Sequence, residues 1–342
     1  MSKAVKSILA VLLSALLTVT AVDWLVQRVV RMPEREYETV DAIRDYRKAD
    51  PQVLVLGSSH ARAFSGLAAW YAQQPTPLRM ALLPIEGGKL FAYDWLLSHR
   101  LQPLVDETDG DGKRLRPSLR HLILVTNYWD LCGGADSYPN LPARAWALSD
   151  YLGDFLQHGV TAYNSNYVDQ KWNEWLHGSA LARDRGVGRI VPQLREWLQP
   201  RSAEDIAKTQ DDKLQGWVEM IQNTDSARPD CEMAEQDAAL DRMIDFAQSR
   251  GIKVSIVLWP SIPKAQVPST IAVTERFRLH VERRVQGRDV QLVDLRTARV
   301  FADEDYRPDL DHLYPSGREK LRVWALNGPF RELAASVAGA RP

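Results

Sequence analysis

The sequence predicts an α/β fold, a three-layer sandwich with a central parallel sheet covered by helices on both faces. Three observations predict it. Short apolar runs recur along the chain, segments of helical periodicity separate them, and the runs are apolar at nearly every position, as in strands buried on both faces of a parallel sheet. Residues 52–56 form the first run, which ends at Gly57-Ser58-Ser59-His60 and leads into an amphipathic helix over 61–71. Residues 78–83 read as the second strand, 90–101 as a helix and 121–126 as the third strand. The rhythm resumes with a helix over 233–250, a strand over 253–258, a helix over 271–284, a strand over 290–293 and a closing helix over 316–335.

The flanks read differently. Lys3 and Lys6 precede an apolar run over 8–22, Asp23 interrupts it, and Trp24-Leu25-Val26 continues it. A helix of about 20 apolar residues spans a bilayer, so residues 1–31 are expected to be an N-terminal transmembrane helix or a signal segment. Val19 and Ala21 keep a cleavage site open, and the continuation past Asp23 favours an uncleaved anchor. Lysines on the short N-terminal side place that end in the cytoplasm. The expected location is therefore single-pass in the inner membrane, with the folded domain in the periplasm or otherwise outside the cytoplasm. Residues 32–50 are charged and helix-prone, a stalk, and 51–342 form the folded domain. Residues 133–228 lack strand signals and read as a helical insertion carrying Trp146, Trp172, Trp175, Trp197 and Trp217. These indoles are either stacking platforms for sugar rings or the insertion's own core.

The 342 residues are 45% hydrophobic and 25% charged with a formal net charge of -1, which gives no global attraction to nucleic acid. Only Cys132 and Cys231 are present, too few for a multi-cysteine zinc site. They flank the insertion and form either one bridge or two free thiols. The histidines show no metal-ligand spacing, and no metal or cofactor is expected.

The chemistry-bearing residues lie at the two ends of the domain. A serine hydroxyl is a poor nucleophile until an imidazole takes its proton, and the imidazole needs a carboxylate to fix its tautomer. Ser59 follows the first strand, where a helix start would turn N–H groups toward a developing oxyanion. Ser58, or a purely structural cap, is the competing reading of the same motif. Asp309 and His312 stand three residues apart, before Tyr314-Pro315-Ser316-Gly317 starts the last helix. Asp311 is a second carboxylate for the orienting role or a solvent-exposed residue. His60 projects away from Ser59 and is expected to line the cleft.

In these blocks and their order the chain resembles the SGNH/GDSL hydrolase superfamily, whose flavodoxin-like sheet matches the predicted fold. Leu54-Val55-Leu56-Gly57-Ser58-Ser59 is similar to its first block, with Ser59 as nucleophile and Ser58 in place of the usual aspartate. Gly87-Gly88 is similar to the second, whose glycine N–H serves the oxyanion hole, and Gly88 is taken as the match. Asn127 resembles the third-block asparagine, although Val125-Thr126-Asn127-Tyr128 stands where Gly-x-Asn-Asp is usual. Asp309-Leu310-Asp311-His312, with Gly317 beyond, resembles the last block.

The resemblance implies a Ser59–His312–Asp309 triad with Gly88 and Asn127 as oxyanion donors. With an anchor, it looks most like the membrane-anchored accessory acyltransfer proteins of envelope polymers, such as the D-alanyl transfer proteins of teichoic acid operons and the alginate O-acetylation proteins. It then implies an acyl-Ser59 intermediate, loaded by a membrane-bound O-acyltransferase partner and discharged onto a polysaccharide hydroxyl. The alternatives are an envelope esterase acting on carbohydrate or lipid, and a non-catalytic anchored glycan-binding or scaffold protein.

Overall fold

Five of the apolar runs become strands of a single sheet: β1 (Val53–Ser58), β2 (Met80–Ile85), β3 (His121–Thr126), β4 (Lys253–Leu258) and β5 (Val290–Asp294). The structure, a computed structural model, describes residues 48–85, 87–112, 118–132, 148–160, 203–228, 231 and 233–339, with single positions 14, 18, 43, 45, 46, 165 and 168. All neighbouring strands are parallel and their order is β2-β1-β3-β4-β5. Every residue of β1 and β3 is buried. Both sheet faces are therefore covered there, which is why these segments show no alternation of apolar and polar residues.

Between the strands lie α1 (Ser65–Ala72), α2 (Leu90–Leu96), α3 (Leu148–His158), α4 (Ala203–Asn223), α5 (Ala234–Gln248) and α6 (Pro268–Val285), and after β5 come α7 (Pro315–Asn327) and α8 (Leu333–Gly339). Helix α2 packs against α5, and α1 against α7. An α/β fold with a five-stranded parallel sheet, consistent with a three-layer sandwich, follows as predicted.

Local departures have local causes. The helix expected over 61–71 opens as a 3₁₀ helix, Ser59–Phe64, before α1 begins. The closing helix is broken into α7 and α8 at Gly328-Pro329, because proline lacks the N–H that a continuing helix needs. Beyond α2 the chain continues as a π-helical turn, Leu97–Leu101, within the span expected to be helical. The end of the stalk segment is not a free spacer: Tyr46 is 2% exposed, and Ser118 Oγ donates to Asp50 Oδ2.

The chain divides into two units, one of Met1–Tyr37 with Pro139–Ile206, the other of Glu38–Tyr138 with Ala207–Pro342. The sheet lies wholly in the second. In the first, α3 exposes Leu148, Leu152 and Leu156. The expected membrane segment lies outside the described residues apart from Ser14 and Thr18, both helical, and so do Trp146, Trp172, Trp175 and Trp197. Among the described residues no helix is long and apolar enough to cross a membrane. Cys132 and Cys231 form a disulfide (S–S 2.06 Å) that closes the chain across 99 residues, so the bridge, not the pair of free thiols, is realised.

Candidate functional site

The strand order reverses between β1 and β3, and in open α/β sheets ligands enter the crevice outside the carboxyl ends of such strands. Ser58 ends β1, and Asn127 follows directly on β3. Gly57 makes this approach possible. A Cβ on it would lie 2.5 Å from the Val125 carbonyl oxygen, so no other residue lets β1 run this close to β3.

Three side chains link the serine turn to the C-terminal loop. Ser58 Oγ lies 2.8 Å from His60 Nδ1, and His60 Nε2 lies 2.7 Å from Asp311 Oδ1. An ionised carboxylate only accepts, so His60 Nε2 carries a proton, and in the neutral ring Nδ1 is the acceptor of the Ser58 hydroxyl proton. Asn127 Nδ2 approaches the same nitrogen at 3.3 Å, while Asn127 Oδ1 accepts from the Trp129 N–H. Trp259, at the end of β4, stacks on the His60 ring with centroids 5.0 Å apart. His60 thus lines the cleft as expected and also does more. Asp311 is not the solvent-exposed residue the sequence left open: burial raises its carboxyl, and the His60 charge and hydrogen bond outweigh that and lower it.

The second dyad is the expected one. His312 Nδ1 lies 3.2 Å from Asp309 Oδ2 and 4.0 Å from Asp311 Oδ2, so the ring is hydrogen-bonded to Asp309 rather than to Asp311. The other Asp309 oxygen accepts the backbone N–H groups of Asp311 and His312, at 3.1 and 2.9 Å. Burial raises Asp309, and the His312 hydrogen bonds overcome this and hold it well below the usual carboxylate range. Leu310 takes a left-handed conformation (φ 63°), which lets the loop curl around Asp309. From outside, Trp217 Nε1 of α4 donates to the Asp309 carbonyl at 2.9 Å and Lys213 Nζ to that of Pro308 at 3.2 Å.

The predicted residues meet unevenly. His312 Nε2 is buried with no hydrogen-bond partner among the described residues. Ser59 and His312 are therefore not hydrogen-bonded in this structure. The ring of His60, the residue after Ser59, lies 6.1 Å from that of His312. Gly88 does not present its N–H as an oxyanion donor: it donates to the Ile85 carbonyl at 2.9 Å, closing a turn in which Gly87 takes the left-handed conformation (φ 61°). The short 3₁₀ start at Ser59 also supplies less aligned dipole than the α-helix the sequence suggested.

Behind the site lies Asp130. Burial raises its carboxyl to about 7 against the opposing Asn127 N–H and His60 charge. The narrow cleft in front is lined by His60, Asn127, Asp311, Trp129, Trp217 and Trp259 among others. The indole N–H groups of Trp129 and Trp259 are buried without partners among the described residues. The sequence reading passed over Trp259 and the His60–Asp311 pair. The signal for Trp259 was its place just past a strand's carboxyl end, where ligand-facing residues gather.

No family model matches the chain, and neither does any curated protein.

Proposed function

We propose that this protein is an extracytoplasmic serine acyltransferase of the SGNH-like, flavodoxin-like type, moving an acyl group through Ser59 onto a hydroxyl of an envelope polysaccharide. One observation carries the reading. His312 has Nδ1 held by Asp309 and leaves Nε2 buried with no partner among the described residues, on a loop that a hydrogen bond joins to His60, the residue after the strand-end Ser59. An orphaned buried acceptor costs about 1–3 kcal/mol, and such groups are kept where chemistry needs them. Hydrogen bonds of this kind commonly close only when substrate arrives.

In the proposed reaction the Ser59 oxygen attacks the acyl carbonyl of the donor while His312 Nε2 takes the hydroxyl proton. The tetrahedral oxyanion collapses, the donor oxygen leaves with that proton, and acyl-Ser59 remains. A glycan hydroxyl then attacks, gives its proton to His312, and departs as the ester as Ser59 regains the proton. The donor is a membrane-bound O-acyltransferase partner, to which an N-terminal anchor would hold the domain at high effective concentration. Asn127, with one amide proton turned to His60, has its second for the oxyanion. The Cys132–Cys231 bridge suits an oxidising compartment.

A second reading rests on its own observation: Ser58, His60 and Asp311 already form a connected chain of hydroxyl, imidazole and carboxylate. Ser58 is 2% exposed and paired within the sheet, against 6% for Ser59 at the rim, which favours Ser59. A fluorophosphonate probe with peptide mapping decides between them. The expected adduct is on Ser59 and is lost in Ser59→Ala. An adduct on Ser58 transfers the role to that residue, and no adduct on either removes the enzymatic reading. Acetylated glycan formed in excess over free acetate separates transfer from simple ester hydrolysis.

A further inference from the structure

The strand-end serine turn and the base-bearing loop come from opposite ends of the domain, and a side-chain hydrogen bond joins them directly: His60 Nε2 to Asp311 Oδ1, across 251 residues. We infer that His60 is a positioning residue, a clamp that docks the 306–314 loop on the turn carrying Ser59 and so sets where His312 stands. This rests on the Ser59 reading for its catalytic consequence and on geometry alone for the clamp.

Each partner is itself held. On the His60 side, Ser58 Oγ and Asn127 Nδ2 converge on Nδ1, and the Trp259 ring covers one face. With Nδ1 engaged, Nε2 is the nitrogen left to face the loop. Asp311 sits one residue before His312, and its second oxygen lies 4.0 Å from His312 Nδ1. A shift of Asp311 is therefore passed through one peptide unit to the base. Elsewhere the loop is tied to itself, through Arg307 N–H to the His312 carbonyl at 2.7 Å and the Asp309 side chain to two amides. A loop that is stiff internally moves as one body; Trp217 and Lys213 hold its outer side, and His60 is the contact that ties it to the serine turn. Ser58 takes on a meaning as well. Where the resembled family has aspartate, this chain has a hydroxyl that donates to the neighbouring histidine and sets its tautomer.

The test uses the full chain, with p-nitrophenyl acetate turnover, fluorophosphonate mapping and amide hydrogen exchange read together. His60→Ala is expected to speed exchange in the 306–314 amides and to lower kcat about 100-fold with KM little changed. Asp311→Ala should do the same, and the double variant should be no worse than either single one, since both remove one link. His60→Gln, whose amide N–H stands where Nε2 stood, should recover a large part of both signals; it also serves if His60→Ala folds poorly. Unchanged exchange at 306–314 in a folded His60→Ala overturns the clamp. So do losses that multiply in the double variant. Faster loop exchange in a wild-type background that never takes the probe leaves the clamp standing and removes the Ser59 reading. Adduct on Ser58 overturns the positioning role, because His60 would then be the base itself.

Discussion

The serine side and the base side of this site are built by different forces. The serine side is packing: β1 and β3 are buried at every residue, and Gly57 leaves no room even for a methyl group against Val125. The base side is a surface loop held by polar contacts, the Asp309 knot inside and Trp217, Lys213 and His60 outside. The difference teaches where damage should appear. Changes on the first side should cost stability, and changes on the second should cost rate while the fold survives.

The largest effect is expected from Asp309→Asn. Asparagine can keep the backbone contacts but no longer enforces the imidazole tautomer, so kcat/KM should fall about 1000-fold with little change in Tm. A loss below tenfold would show that Asp311 orients His312 after all. Next comes Gly57→Ala, which should lower unfolding free energy by about 3 kcal/mol, read by urea denaturation, while the folded fraction stays active. Unaltered stability would break the claim that packing fixes the serine.

Asp130 sharpens the comparison through pH. Its carboxyl stands at about 7 in the fold against an ordinary 3.8, so between these values the folded state holds a proton that the unfolded chain has lost. Its contribution to stability therefore falls as pH rises through that window and stays reduced above it. Asp130→Asn should escape this, gaining about 1–3 kcal/mol on wild type between pH 5 and pH 8, visible as a widening Tm gap. A constant gap would mean that the carboxyl is ionised throughout. Smallest is Trp217→Phe, which keeps the ring but drops the N–H to the Asp309 carbonyl; a loss of about 1 kcal/mol, seen as a few-fold fall in rate with unchanged Tm, is expected. A larger drop in Tm than in rate would place Trp217 with the core.

Much of the fold was legible because it rests on local pattern. The third and fourth strands, His121–Thr126 and Lys253–Leu258, lie where their apolar runs put them. The break at Gly328-Pro329 was written in the sequence and overlooked, since the pattern of apolar residues continues across it. The site was legible where spacing sufficed, as for Asp309 and His312 on one loop. What spacing cannot carry is the partner chosen by a buried donor. Gly88 gives its N–H to Ile85 because the chain turns there, and His60 reaches Asp311 because two distant segments converge. Whether Asp309 or Asp311 serves His312 turns on the left-handed Leu310, a backbone choice that a leucine does not announce.

The disulfide carries a consequence for the site. Cys132, after β3, and Cys231, before α5, are tied with their Cα atoms 4.9 Å apart, so the two ends of the intervening stretch are held side by side. That enclosed stretch includes α4, whose Trp217 and Lys213 brace the histidine loop, so reducing the bridge should loosen the loop from its outer side.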